Sequence, residues 1–339
     1  MQPAPTSAQL NRDLAGRYAD VVKNFIAPGQ PYALLDFPDH SNVGDSAIYA
    51  GQLAFLDRHV GQAPSYVCNL DTYRDDVEAF CPEGPLLLHG GGNFGSMWRR
   101  HQRLRHQVIV RYPHRRIVQL AQSIHFSPED HENLEESKRL IGAHRDFILL
   151  VRDRHSHDFA KATFDCEVIL CPDAAHCLLE LLSDRQPRHQ VLYLMREDKE
   201  ANNQDMIDLL RRKGPVIDWG RQRLARTPLD RLLEGYVGPA LPGSSALMRR
   251  RERTYRRHAA YRLACGVRKL SRGQVIVSDR LHAHLIAGLM GKPHVCLDNS
   301  YGKIGRYIET WGKDNQTLQV STPQEIEAAL EQLKGAVTG

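Results

Sequence analysis

Short apolar runs, most of them ending in a polar residue or a glycine cluster, recur along the first half of the chain. They occupy 32–36, 66–68, 86–89, 116–120, 147–151 and 167–171. Each has the length of a strand, and runs apolar throughout are what a parallel sheet buried on both faces requires. Helical spacing fills the gaps. Residues 9–26 carry Leu10, Leu14, Tyr18, Val21 and Val22, and 46–59 continues as a helix after the polar segment 39–45. Strand and helix in alternation predict a doubly wound parallel sheet. The pattern restarts near Arg188, with strands predicted at 190–195, 215–218, 274–277 and 293–297 and an amphipathic helix at 323–334. The expected fold class is therefore α/β with two Rossmann-like domains, 1–185 and 186–339, and a cleft between them. Ser183, Asp184 and Pro187 are the only boundary signal. The last helix is expected to pack back on the first domain.

Open α/β sheets bind ligands beyond the carboxyl ends of their strands, where helix N-termini favour anions. The richest such exit is Ser278-Asp279-Arg280-Leu281-His282-Ala283-His284, which follows the run 274–277 and opens an apolar helix. Arg280, His282 and His284 bring potential cations and donors to that point. Arg152-Asp153, Pro172-Asp173 and Met195-Arg196 end other strands. Arg152 and Arg280 suit bidentate grip on a carboxylate and a phosphate, His282 suits proton transfer near neutral pH, and Lys303 adds a further cation. Asp45, in Asn42-Val43-Gly44-Asp45, could be a carboxylate facing a sugar hydroxyl, but on this segment alone a helix N-cap is the better reading. Gly90-Gly91-Gly92-Asn93 follows a strand but has neither GxGxxG spacing nor the Lys-Ser/Thr of a P-loop, so nicotinamide cofactors and ATP lose weight. The glycines suit close approach of a ligand to exposed N–H groups and, equally, a turn for tight strand–helix packing.

Composition narrows the class further. The 339 residues are 42% hydrophobic and 25% charged with a net charge of +5, ordinary for a globular enzyme. No apolar run approaches membrane-spanning length, and the first residues lack a signal peptide's basic and apolar regions, so a cytoplasmic location is expected. Seven scattered cysteines read as reduced core thiols. Cys166, Cys171, His176 and Cys177 lie close in sequence but lack CxxC spacing, and no metal is expected. Segment 248–272 holds nine arginines and one lysine against Glu252. Tyr255, Ala259, Leu263, Val267 and Leu270 give it an apolar stripe, so it reads as a basic amphipathic helix on an anionic membrane surface, with a solvated helix as the plainer reading. Nothing in it supports nucleic-acid binding.

Together these pieces resemble the polysaccharide pyruvyl transferases. The resemblance rests on 42–45, 90–93, 151–153, Pro172-Asp173, 278–282, Gly291-Lys292-Pro293 and Tyr301-Gly302-Lys303, in that order. It implies a GT-B-like architecture, an acceptor side in the first domain and a donor side in the second. It implies phosphoenolpyruvate as donor, no cofactor, and a glycan acceptor whose two hydroxyls are bridged as a cyclic ketal. Arg152, Arg280 and His282 would bind or activate the donor, and Asp45 would lie beside the hydroxyls. Asn42, Gly44, Gly91, Gly92, Asn93, Asp173, Ser278, Leu281, His284 and Lys303 complete the expected substrate-binding set. A lipid-linked acceptor at the inner membrane face would suit the basic segment. The rival readings are a GT-B glycosyltransferase using a nucleotide sugar and a non-catalytic glycan-binding subunit.

Overall fold

In the computed structural model the described residues are 4–196, 204–220, 224, 228, 238–241, 243–298 and 302–337. The first half runs α1 (Ser7–Val22), β1 (Ala33–Leu35), α2 (Val43–His59), β2 (Tyr66–Val67), α3 (Val77–Phe80), β3 (Leu86–Leu88), β4 (Gly91–Gly95), α4 (Arg99–Arg111), β5 (Ile117–His125), α5 (His131–Ala143), β6 (Phe147–Val151), α6 (Arg154–Thr163) and β7 (Glu167–Leu170). The second runs β8 (His189–Leu194), α7 (Gln204–Arg211), β9 (Val216–Ile217), α8 (Ser244–Leu270), β10 (Gly273–Ser278), α9 (Leu281–Leu289), β11 (His294–Leu297), α10 (Lys303–Trp311), β12 (Thr317–Val320) and α11 (Pro323–Val337).

Each half builds a parallel sheet. The orders are β2-β1-β3-β5-β6-β7 and β12-β11-β10-β8-β9. Both put the first strand between the second and third, so the chain winds outward in opposite directions from a β1/β3 and a β8/β10 switch point. That is where a doubly wound sheet opens a crevice for ligand. Leu34, Leu35, Leu86, Leu87, Leu149, Leu150 and Val151 are sealed from solvent on both faces, which is why their runs are apolar without alternation. The α/β parallel expectation is met.

Three elements differ from the sequence reading. The glycine cluster is a strand: β4 resumes beside β5 after a break at His89-Gly90, with Gly91 opposite Gln122 and Phe94 opposite Ile124. Among the described residues the terminal helix packs on the second sheet. Ile326, Ala329, Leu330 and Leu333 of α11 bury against Val275, Val277 and Val295 of the second sheet, because β12 offers them an apolar edge there.

The basic segment is the third. It is one 27-residue helix, α8, and its apolar stripe faces inward. Tyr255 and Ala259 join the core of the first sheet, while Leu263, Val267 and Leu270 join that of the second. Tyr255 stacks on Phe37 with ring centroids 4.1 Å apart, and Gly266 admits Val43 so closely that an added Cβ would lie 2.4 Å from Cγ1. Arg262 binds the Pro38 carbonyl and Asp39, and Arg256 binds Asp57 and Glu252. The stripe is therefore unavailable to a membrane. Arg249, Arg250, Arg253 and Arg257 remain on the exposed side. Among the described residues no helix is long and apolar enough to cross a membrane.

Candidate active site

Asp173 is the junction of the site. It follows β7, caps the 3-10 turn Ala174–Leu178 by accepting from the Ala175 amide through Oδ1, and is buried. Its Oδ2 accepts from Arg152 Nη1 at 2.7 Å and from His282 Nε2 at 3.3 Å. Arg152 leaves the end of β6, whereas His282 is the second residue of α9 beyond β10. One carboxylate oxygen thus joins a guanidinium and an imidazole delivered by the two sheets. Burial alone would raise the Asp173 pKa; His282, Arg152 and the Ala175 amide together outweigh it and hold the carboxyl far below the usual range.

Arg152 has further fixings. Its Nε donates to Ser123 Oγ, which donates to Asp153 Oδ2, and Asp153 caps α6 through the Ser156 amide. Trp311 of α10 donates to the Arg152 carbonyl, and Tyr307 accepts from the Asp173 amide. The second half thereby holds the backbone on which the first half's cation stands. His176 completes this seam. Its Nδ1 donates to Asn11 and its Nε2 accepts from Tyr307; burial lowers its pKa to about 4, so it is neutral.

Asp45 lies in the first turn of α2, but Asn42 performs the capping, its side chain accepting from the Gly44 amide at 2.9 Å. That frees the Asp45 carboxylate to face the site. It sits 3.5 Å from His40 Nε2 and stays 23% exposed. Burial pushes its pKa up, but His40, His282, His89 and Arg152 push it down further, and the net shift is downward. Gly44 exists because His282 packs on it: an added Cβ would fall 2.6 Å from the imidazole. Gly91, at φ +131°, holds a conformation open to glycine and lies against Asp45. Gly92 lies against Arg152 in the same way. His89, just before the glycines, donates from Nδ1 to Gln52; burial lowers its pKa to about 4, and its Nε2 has no partner among the described residues.

Arg280 is the N-cap residue of α9, and Nε and Nη2 both contact Asp218 at 2.6 Å. Each of the two predicted donor-binding arginines therefore stands beside a carboxylate, Asp173 or Asp218. Lys303 lines a small cavity with Gly92, Asn93, Ser123 and Asp153. The other predicted residues have scaffolding surroundings. Ser278 donates to the Leu194 carbonyl and accepts from the Arg280 amide, and Leu281 belongs to the second core. His284 is buried and donates to His294 Nε2 at 2.7 Å.

Sequence reasoning did not single out Asp36, His101 or Asp218. Asp36 follows β1 at φ +69°, an uncommon conformation for a side chain to tolerate, and His101 Nδ1 donates to both its oxygens at 2.8 and 2.9 Å. Asp218 is 62 residues from Arg280. A lone aspartate at a strand exit carries no signal of either partnership. For metals, His284, His294 and Cys296 bring ligand atoms within 4.8 Å of one another. The two rings already hydrogen-bond each other, and His294 Nδ1 donates to the Lys292 carbonyl, so the group is a satisfied buried pair beneath α9. His176 of the 166–177 group is likewise engaged.

The arrangement offers a guanidinium and an imidazole on one shared carboxylate and a second, ionised carboxylate beside them: equipment for binding a small anion and moving protons. Comparison with known proteins identifies the family. The profile of the family described as polysaccharide pyruvyl transferase matches residues 42–301. Pyruvyl transferase 1 of Schizosaccharomyces pombe is 30% identical over 85% of this chain and 71% of its own. EpsO of Bacillus subtilis, also named for pyruvyl transfer, is 30% identical over 81% of this chain and 84% of its own. A functionally uncharacterised protein from Klebsiella pneumoniae shares the fold, with a TM-score of 0.58 at 18% identity over 91% of this chain and 99% of that one. By the extent of that match and the kind of its relatives, the chain belongs to the polysaccharide pyruvyl transferase family, a family of transferases.

Proposed function

We propose that this protein transfers pyruvate from phosphoenolpyruvate to two hydroxyls of a hexose in an exopolysaccharide or cell-surface glycan precursor, forming a cyclic ketal and releasing phosphate. The observation that carries the reading is the shared Asp173 oxygen, which gathers Arg152 and His282 from opposite sheets beside Asp45. The two sheets then serve as GT-B-like domains, 1–185 on the acceptor side and 186–339 on the donor side, with the reaction between them.

Arg152 and Arg280 supply fixed donors for the carboxylate and phosphate of the donor, and preorganised charge of this kind lowers the barrier more than any other single effect in many enzymes. His282 delivers a proton to the methylene carbon. Its Nε2 stands 3.3 Å from Asp173 Oδ2, which orients the ring. The phosphate-bearing carbon becomes oxocarbenium-like and one sugar hydroxyl adds to it, with Asp45 accepting the hydroxyl hydrogen. Asp45 is ionised at neutral pH, as an acceptor must be, though its lowered pKa makes it a weak base. Phosphate leaves with the electrons of its C–O bond, and the second hydroxyl closes the ketal. The scheme uses no cofactor and no metal. The exposed arginines of α8 fit work on a lipid-linked acceptor at the cytoplasmic membrane face.

The test is phosphate release from phosphoenolpyruvate across a panel of hexosides, with mass spectrometry of the products. A product heavier by one ketal-linked pyruvate supports the reading. No release with any acceptor, together with no thermal shift from phosphoenolpyruvate, overturns it in favour of a nucleotide-sugar donor.

A further inference from the structure

We infer that Asp36 and His101 form a second proton-accepting pair, set to take the hydrogen of the hydroxyl that closes the ketal. The inference rests on the pyruvyl-transfer reading above. His101 is the catalytic residue and Asp36 positions it.

The chemistry calls for a second acceptor. Ketal closure forms a C–O bond to the carbon that loses phosphate, and the attacking hydroxyl must shed its proton. Two hydroxyls react and two protons are released. One replaces the proton that His282 gave to the methylene carbon, and the other departs with phosphate or to solvent, so no oxidant or further reactant is needed. Asp45 serves the first hydroxyl but is a weak base. A neutral imidazole is a stronger one, and a ring whose far nitrogen is tied to a carboxylate is the recurring way to present it.

The geometry supplies that ring. Asp36 is 3% exposed and both its oxygens accept from Nδ1 of His101, which fixes the ring and leaves Nε2 as the nitrogen not engaged by the carboxylate. Nε2 makes no hydrogen bond among the described residues and is not sealed from solvent; the side chain is 11% exposed. The pair stands on the crevice side of the fold. Asp36 leaves the carboxyl end of β1 at the β1/β3 switch point, and Asn93 of β4 contacts it at 3.5 Å. Gly91, against Asp45, precedes Asn93 by two residues, so both carboxylates border β4. His89 is near both Asp45 and Asp36, and His101 lowers its pKa further. A surface ion pair needs none of this. A left-handed, buried aspartate at a strand exit is strain of the kind kept at functional sites.

The test compares His101→Gln, His101→Ala, Asp36→Asn and Asp36→Glu with the unaltered protein, using an acceptor that it converts. His101→Gln should lose about 10²- to 10⁴-fold in kcat, the usual worth of a general base, while the thermal shift given by phosphoenolpyruvate is kept. Exogenous imidazole should restore part of the activity of His101→Ala but none of that of Asp45→Ala. Rescue is read as a ratio with and without imidazole, so a partly folded preparation still reports it. Asp36→Glu should retain more activity than Asp36→Asn, with the loss in kcat rather than in acceptor KM. If His101→Gln stays within threefold of the unaltered protein, or imidazole gives no rescue, the pair is structural and the inference is overturned. If the unaltered protein makes no ketal from any diol, it is the pyruvyl-transfer reading that falls, and this inference with it.

Discussion

Removing the charge of Asp173 should be the most damaging single change to stability at the site. Asp173→Asn keeps the volume and the acceptor for the Ala175 amide, but it leaves the Arg152 guanidinium, 3% exposed, with the neutral Ser123 hydroxyl as its remaining side-chain partner. Breaking a buried pair from one side costs about 3–5 kcal/mol, because the other charge stays desolvated. A 339-residue protein has an unfolding entropy near 0.7 kcal/mol/K, so the midpoint should drop by roughly 4–7 °C. Urea and thermal unfolding followed by circular dichroism at pH 7 would measure both. The pH dependence checks the cause. Asp173 has a folded pKa below its unfolded one, so its contribution is present above about pH 4 and fades as acid titrates the folded carboxylate. The curves for the two proteins should therefore converge in acid. The double variant Arg152→Met with Asp173→Asn, lacking the stranded cation, should be no less stable than Asp173→Asn alone. A loss under about 1 kcal/mol at pH 7, or a double variant markedly worse than the single, would refute the stranded-charge argument.

Gly44→Ala should displace His282, because the contact is with the root of the imidazole and not with a flexible tip, and kcat should fall about 100-fold with the fold intact; unchanged turnover sinks that assignment. His89 and His176 have folded pKa values of about 4 and are neutral, so their contribution is full above pH 6.5 and lost as the pH falls toward 4. Stability should decline by roughly 2–3 kcal/mol per pH unit near pH 5, and a flat profile between pH 7 and 5 would contradict their burial as neutral rings. If the exposed arginines of α8 meet a membrane, the protein should cosediment with phosphatidylglycerol vesicles at low salt. Replacing Arg249, Arg250 and Arg253 by Glu should release it, and equal sedimentation with neutral vesicles would dismiss the surface.

The strands were legible in the sequence because parallel strands are buried on both faces: 86–88 and 147–151 could hardly be read otherwise. The glycine strand β4 was not, since Gly91-Gly92-Asn93 has no strand propensity and is held by its pairing with β5. The apolar stripe of α8 is plain in the sequence, but periodicity cannot say whether protein or lipid covers a face. At the site, residues on one short segment, such as Arg280 and His282, could be read together. Partnerships across the fold could not: Asp173 with His282, Asp218 with Arg280 and Asp36 with His101 join segments separated by 109, 62 and 65 residues. Asn42 shows the same limit on a smaller scale, because only the geometry decides which of two nearby candidates caps the helix and which is left for chemistry.

The long helix α8 makes the two halves unequal heirs of the chain. Phe37 and Tyr49 of the first core are completed by Tyr255, a residue encoded after much of the second half. During synthesis the first sheet must therefore wait, with that face uncovered, until the helix emerges. A cut near residue 185 would yield a fragment with exposed aromatic surface, prone to self-association, rather than a free-standing module. Attempts to exchange halves between relatives should carry α8 with the first half, or redesign the Phe37 face, if the product is to stay in solution.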